Sequence, residues 1–183
     1  MTALSYELAF WNDCLDTLEE ENKQRVYARL MGIEGSLRGR AVVDIGGGPV
    51  SMLLKCRNRG ECAVVDPLIG DFPIWVRGRY REAGIAPINV YGEDLELGNV
   101  YDEAWIYNVL QHVKDPELVI KRARASAHLV RVFEWINIPA YEGHPHELNA
   151  RDLDKWFGGK GMVLQLNEDG CVGTAYVGVF GEA

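Results

Sequence analysis

Two carboxylates at the ends of apolar runs carry the chemistry that is easiest to read in this chain. Asp44 closes Ala41-Val42-Val43 and is followed, after Ile45, by Gly46, Gly47 and Gly48; Asp66 closes Cys62-Ala63-Val64-Val65, twenty residues beyond Gly46. An apolar run ending in an acid and a glycine cluster is how a strand hands over to a ligand-binding turn. Glycine tolerates positive φ and has no Cβ, so such a turn bends sharply and lets a ligand approach the backbone. An acid about twenty residues further on stands where a ribose is received in such a unit. Together the two elements point to a nucleotide-like ligand.

The position of Asp44 bears on which ligand that is. A pyrophosphate is held by bare backbone N–H groups at a helix N-terminus, and a carboxylate beside that turn repels it. S-adenosylmethionine (SAM) carries no phosphate but has a sulfonium and an α-ammonium, so a D-x-G-x-G pattern suits it better than NAD. The dinucleotide fingerprint also wants Gly or Ala five residues after its first glycine, where this chain has Ser51.

On these residues the chain resembles the class I SAM-dependent methyltransferases. Asp44, Gly46 and Gly48, with Gly47 between them, match the first motif of that family, and Val50 stands where its third glycine is usual. The resemblance implies that Asp66, followed by Pro67, binds both ribose hydroxyls. Tyr91-Gly92-Glu93-Asp94-Leu95 is similar to the segment after the third strand, in which an acid receives the adenine amino group; Glu93 or Asp94 could serve. Asn108-Val109-Leu110-Gln111-His112-Val113-Lys114-Asp115-Pro116 resembles the N-x-L-x-H-x-x-D-P segment that follows the fourth strand in small-molecule methyltransferases, which implies that Asn108 and Val109 border the cofactor. The likeness covers roughly residues 40 to 180. It implies a Rossmann-like α/β fold with a mainly parallel seven-stranded sheet, a C-terminal antiparallel hairpin, helices on both faces and SAM as cofactor, with S-adenosylhomocysteine as product.

Methyl transfer from a sulfonium needs above all a nucleophile held in line, so proximity supplies much of the acceleration and a general base is optional. Where a hydroxyl or a protonated amine is the acceptor, a base within hydrogen-bond reach helps, and His112 after the fourth strand is the candidate. Related proteins carry His-containing segments like Gly143-His144-Pro145-His146-Glu147 in a substrate-side loop, which makes His144 and His146 candidates for acceptor contact; the spacing argues against a metal site. Trp135, after Glu134 at the end of the fifth strand, and Tyr141 fall where ligands sit outside the carboxyl ends of parallel strands. In such proteins the N-terminal segment folds over the cofactor as a lid, and Trp11 is its candidate contact with SAM or acceptor. Phe10-Trp11-x-x-Cys14 also resembles short methyltransferase-like proteins of phages, which would place the protein in a host cytoplasm.

What is missing narrows the acceptor. The N/D-P-P-Y/F turn of enzymes that methylate adenine or glutamine amide nitrogens is absent, and so is the Pro-Cys pair of cytosine C5 chemistry. The expected acceptor is an O or N atom of a small molecule. A non-catalytic SAM-binding protein and an NAD-dependent oxidoreductase are the alternatives, the latter disfavoured by Asp44 and Ser51.

With 183 residues and 48% hydrophobic content the chain can bury a core as one domain, 1–183, in which 1–38 form the helical lid and 40–183 the Rossmann-like core. The net charge of −8 opposes a stable grip on nucleic acid, whose affinity rests on Lys and Arg contacts to phosphates. The alternating Arg77, Arg79 and Arg81 read as a solvated helix face, the alternative being that with Tyr80 they bind an anionic substrate or a single strand. With no apolar run near the length of a membrane span and no leader, a cytoplasmic protein is expected. Cys14, Cys56, Cys62 and Cys171 lack C-x-x-C spacing and read as reduced thiols. A homodimer could complete the acceptor pocket, although no interface is legible.

The elements that position these residues follow from periodicity. Leu4, Leu8, Trp11, Leu15, Leu18, Val26 and Leu30 mark one or two amphipathic helices. Strands are expected at about 41–45, 61–65, 88–91, 103–107 and 129–134, and helices at about 50–57, 72–83 and 116–127, the last opened by Asp115 and Pro116. Asn149 should cap a helix ending at Gly158-Gly159, before strands at 162–166 and 172–180 joined through Asn167-Glu168-Asp169-Gly170. Alternation of this kind implies parallel pairing with right-handed crossovers.

Overall fold

In the computed structural model, which describes residues 3–14, 18–97 and 100–181, the apolar runs pair into one seven-stranded sheet. Its strands are β1 (Val42–Ile45), β2 (Cys62–Val65), β3 (Ile85–Ile88), β4 (Tyr101–Tyr107), β5 (Ala127–Trp135), β6 (Met162–Glu168) and β7 (Cys171–Gly181). They lie in the order β3-β2-β1-β4-β5-β7-β6. The first five strands run parallel, and β7 enters antiparallel between β5 and β6. The helices are α1 (Ala3–Cys14), α2 (Leu18–Leu30), α3 (Ile74–Glu82), α4 (Pro116–Ser126) and α5 (Ala150–Phe157). Leu15, counted in the N-terminal periodicity, lies outside the described residues.

The central strands are buried on both faces, as parallel sheets require, and their side chains alternate between two cores. Val42, Val64, Trp105 and Phe133 pack with Val26 and Tyr27 of α2, Met31 just after it and Tyr80 of α3 on one side. Val43, Ala63, Ile106 and Val132 pack with Val119, Ile120, Leu153 and Phe157 of α4 and α5 on the other. Local signals set the helix ends. The Asp115 side chain accepts from Leu118 N at 2.9 Å with Pro116 behind it, and Asn149 accepts from Asp152 N at 3.0 Å. Gly158, at φ +67°, closes α5 in the left-handed conformation that glycine adopts without penalty.

Two expected elements are corrected. The segment 50–57 is a single 3-10 turn, Met52–Lys55, because Ser51 caps Leu53 N at 3.1 Å and Arg57 leaves to bridge Ser36, giving its carbonyl to Leu37 N. The third strand starts at Ile85 instead of Ile88. Pro87 falls within it because β3 is a sheet edge, where a missing N–H is tolerated. Arg77 and Arg79 are half-buried and Arg81 is exposed on α3, with the Arg79 guanidinium 5.6 Å from the Trp75 ring centroid. Cys56, Cys62 and Cys171 are buried free thiols. No helix among the described residues is long and apolar enough to cross a membrane.

Candidate functional site

A cavity of about 890 Å³ opens at the carboxyl ends of the parallel strands. It straddles the boundary between β1 and β4, where the chain's crossovers change direction and ligands of open α/β sheets bind. Its floor is the turn after β1. Gly46 takes φ +73° and donates to Val65 O at 2.7 Å; a Cβ there would lie 2.5 Å from Val109 Cγ2. A Cβ on Gly47 would lie 2.6 Å from Val64 Cγ2 and 2.7 Å from Asp44 Oδ2. The turn therefore depends on the absence of side chains.

Asp66 stands on the cavity wall. Its Oδ2 accepts from Gly48 N at 3.1 Å and its Oδ1 from Leu68 N at 2.8 Å. Burial pushes its pKa up to about 6 against the lowering effect of those two amides. Pro67 and Leu68 continue the wall.

Asp44 stands elsewhere than a ligand-facing acid would. Its fully buried carboxylate lies behind the turn, accepting the Ser51 hydroxyl and, at 2.6 Å, the Tyr107 hydroxyl. Its Oδ1 has no partner among the described residues, and burial pushes its pKa up to about 7. The acid thus ties the glycine turn to β4. Gly48 is also off the wall, because the Trp11 indole covers it; a Cβ at Gly48 would sit 3.3 Å from Trp11 Cζ2. Of the two acids after β3, Glu93 lines the cavity and Asp94 does not. Glu93 Oε1 accepts from Lys114 N at 2.8 Å and Asp115 N at 3.2 Å, which ties this loop to the entry of α4.

The segment after β4 is held from below by an acid that the periodicity marked only as a strand end. Glu134, fully buried, accepts from Val109 N at 2.9 Å and Leu110 N at 3.0 Å, and burial pushes its pKa up to about 8. Asn108, at φ +58°, accepts the Gln111 amide at 2.8 Å. Asn108, Val109 and His112 all reach the cavity.

His112 has neither ring nitrogen free. Gln111 Nε2, an obligate donor, lies 3.3 Å from its Nε2, which must therefore accept; its Nδ1–H then faces Gly143 O at 2.9 Å and Glu7 Oε1 at 3.1 Å. Burial, with His144 beside it, pushes its pKa down to about 4. The ring is a neutral strut between α1, the turn after β4 and the loop after β5. In that loop Tyr141 and His144 exchange backbone hydrogen bonds, and the Tyr141 hydroxyl lies 3.0 Å from His144 Nε2. His146 Nε2 donates to Val113 O at 2.8 Å. Trp135, Tyr141, His144 and His146 all line the cavity. No three His, Cys, Asp or Glu side chains among the described residues converge as metal ligands.

Helix α1 forms the roof. Ala3, Leu4, Glu7, Phe10 and Trp11 recur three or four apart, which places them on one helix face, and all line the cavity. Sequence reading found Trp11 here but missed Glu7, whose only signal is its place one turn before Trp11. Tyr27 of α2 and Tyr107 of β4 were also missed as lining residues, being indistinguishable in sequence from core aromatics.

These buried carboxyls have a consequence for stability. Asp44, Asp66, Glu134 and Glu7, the last pushed up to about 7 by burial and by Asp66, all bind a proton more tightly folded than unfolded. Their contribution is present at low pH and is lost as pH rises through these values. His112 acts in the opposite sense, its contribution fading as pH falls from about 6.5 toward 4. His144, also lowered by burial, acts with His112; with four carboxyls against two imidazoles, the melting midpoint of the ligand-free protein should fall between about pH 5.5 and 8.5. A midpoint that rises over that range in a thermal-shift series would contradict these burial assignments.

Sheet order, the reversed β7 and the cavity at the β1/β4 boundary define a Rossmann-like class I methyltransferase fold. The 1,6-didemethyltoxoflavin-N1-methyltransferase of Burkholderia thailandensis, solved with 1,6-didemethyltoxoflavin and S-adenosylhomocysteine, matches with a TM-score of 0.71 over 98% of this chain and 88% of that one, at 14% identity. The DhpI complex with S-adenosylhomocysteine matches at 0.68, 99%, 96% and 14% respectively. N-methyltransferase NodS of Bradyrhizobium japonicum, also in complex with S-adenosylhomocysteine, matches at 0.65, 92%, 89% and 12%. At such identities the likeness is one of fold. No family model and no curated protein matches the sequence.

Proposed function

We propose that this protein is a SAM-dependent methyltransferase that methylates an O or N atom of a small molecule. The observation that carries the reading is the convergence of the Gly46-Gly47 turn, the Asp66 carboxylate and the Trp11-bearing roof on one cavity, of a volume typical of small-molecule sites. The residues fit SAM: a side chain at Gly46 or Gly47 would disrupt the cradle, and Asp66 is a buried acceptor suited to ribose hydroxyls. SAM supplies a methyl group on a positively charged sulfur that leaves as a neutral thioether.

Asp66 and Pro67 would hold the ribose side and Glu93 the adenine side, with Asn108, Val109 and Trp11 closing around them. Asp44 and Glu134 set the turns from behind. Trp135, Tyr141, His144 and His146 then border the acceptor, and α1 and α2 act as a lid that excludes water. Because methyl transfer requires alignment more than proton removal, the commitment of both His112 nitrogens does not oppose this reading. The acid-rich wall also fits a small-molecule enzyme better than a nucleic-acid binder.

Parallel calorimetric titrations with SAM, S-adenosylhomocysteine and NAD test it. Micromolar binding of SAM and its product without NAD is expected. Binding of NAD, or of none of the three, would overturn the proposal.

A further inference from the structure

The charge and shape of the cavity wall bear on the acceptor, granted the cofactor reading above. Five carboxylates line it, Glu7, Glu20, Asp66, Glu93 and Glu142, against two cations, Lys23 and Lys114. Lys23 is paired with Glu20 at 2.9 Å, and the Lys114 ammonium lies over the Tyr91 ring, 4.8 Å from its centroid. No arginine stands on the wall among the described residues. With Asp66 and Glu93 given to the cofactor and Glu20 paired, a phosphate or carboxylate on the acceptor would meet Glu7 and Glu142 and no guanidinium to pair with. The lining is aromatic: Tyr6 and Tyr141 meet edge to face at 6.0 Å, and Phe10 lines the same cavity, all three partly exposed. Ring faces of this kind attract cations.

Glu7 is the acid placed to receive such a cation. It projects from the roof helix, with a side chain 20% exposed, onto the same wall as His144 and Tyr141. Its Oε1 lies 3.1 Å from His112 Nδ1, and the Trp11 side chain also hydrogen-bonds the carboxylate. Two donors fix the orientation of a group that offers about four acceptor sites, so acceptor capacity remains.

We propose that the acceptor is an amine that enters as its ammonium ion, and that Glu7 binds this group and takes its proton. An ammonium nitrogen has no lone pair, so one N–H proton must pass to the Glu7 carboxylate first. The freed lone pair then forms the N–C bond while the methyl–sulfur bond breaks with its electron pair remaining on sulfur; the methylated nitrogen is again cationic, and Glu7 returns its proton to solvent. Burial, Asp66 and Glu20 raise the Glu7 pKa to about 7, while the Trp11 hydrogen bond lowers it; with neutral His112 beside it, the group is poised to exchange a proton near neutrality.

The test uses the intact protein saturated with S-adenosylhomocysteine and three probes of matched shape: 2-phenylethylamine, 2-phenylethanol and phenylacetate. The amine should bind about tenfold more tightly than the other two, the size of one partly buried charged hydrogen bond. At pH 7, calorimetry in phosphate and in Tris should show net proton release on amine binding, because Glu7 must be ionised to pair with the ammonium. Glu7→Gln should bring the three probes within about threefold of one another and abolish the release, while retained S-adenosylhomocysteine affinity shows that the variant is folded; Glu7→Asp should keep the preference for the amine. Equal or tighter binding of phenylacetate, or an amine preference that survives Glu7→Gln, overturns the proposal. Failure of wild-type protein to bind S-adenosylhomocysteine at all would instead remove the cofactor reading on which it rests.

Discussion

Gly46→Val is expected to abolish S-adenosylhomocysteine binding, lowering affinity by at least about 100-fold, as removal of a whole binding surface does. Two causes act together. The residue holds φ +73°, where an L side chain costs about 1–2 kcal/mol and a β-branched one more. The new Cβ would also lie 2.5 and 2.7 Å from the two methyls of Val109, well inside contact distance. Val109 cannot give way easily, because it is buried and Glu134 holds its amide. The turns after β1 and β4 must then separate, and these two turns form the floor of the cavity. Overpacking of this kind costs about 1–3 kcal/mol, and in a chain of this size each kcal/mol lowers the melting midpoint by about 2–4 °C. Adding Val109→Ala should recover part of the stability by removing the colliding methyls. Calorimetry and thermal unfolding of the single and double variants check both parts, and unchanged binding in Gly46→Val would sink the assignment of the floor.

Asp66→Ala should weaken S-adenosylhomocysteine binding by about 10- to 100-fold, the equivalent of one or two hydrogen bonds to a charged acceptor. Its carboxylate has two duties in the structure. It receives the amides of Gly48 and Leu68, which fixes the glycine turn against the loop after β2, and it presents its remaining lone pairs to the cavity. Asp66→Asn is not a gentle substitute, because its NH2 group must face one of those amides as donor against donor. A pH series separates the duties. Since burial holds the group near a pKa of about 6, wild-type affinity should decline as pH falls through that value, and in Asp66→Ala this decline should vanish. An affinity independent of pH between 5 and 8 would leave Asp66 only its structural duty.

Much of the frame was legible because the signals that set it are local. The strand-to-glycine handover at Asp44–Gly48, the Asp115 and Asn149 caps, the Gly158 terminator and the Asp169-Gly170 turn each act over a few residues, and the structure uses each in the expected place. Local reading failed where distant partners compete for the backbone. The turn at Met52–Lys55 does not extend to 57 because Arg57 is taken by Ser36 and Leu37, which come from before β1. β3 sits three residues earlier than expected because its register is fixed by β2, from Cys62↔Ile85 to Val65↔Ile88.

The amino-acid order alone determined the alternation of strands and helices, the glycine turn and the acids that end β1 and β2, since backbone preference and period are properties of neighbouring residues. Only the tertiary structure decided which polar groups face the cavity. Asp44 and Asp66 look alike in sequence, yet one is sealed beneath Ser51 and Tyr107 and the other stands on the wall. In sequence His112 reads either as a base or as a structural or cofactor-side residue, and only the fold brings Gln111, Gly143 and Glu7 to its nitrogens; Glu7 has no signature until α1 is laid over the sheet. The reason is physical: orientation, desolvation and hydrogen-bond partners are set by groups that lie far apart in the chain and meet only when the sheet closes its two cores.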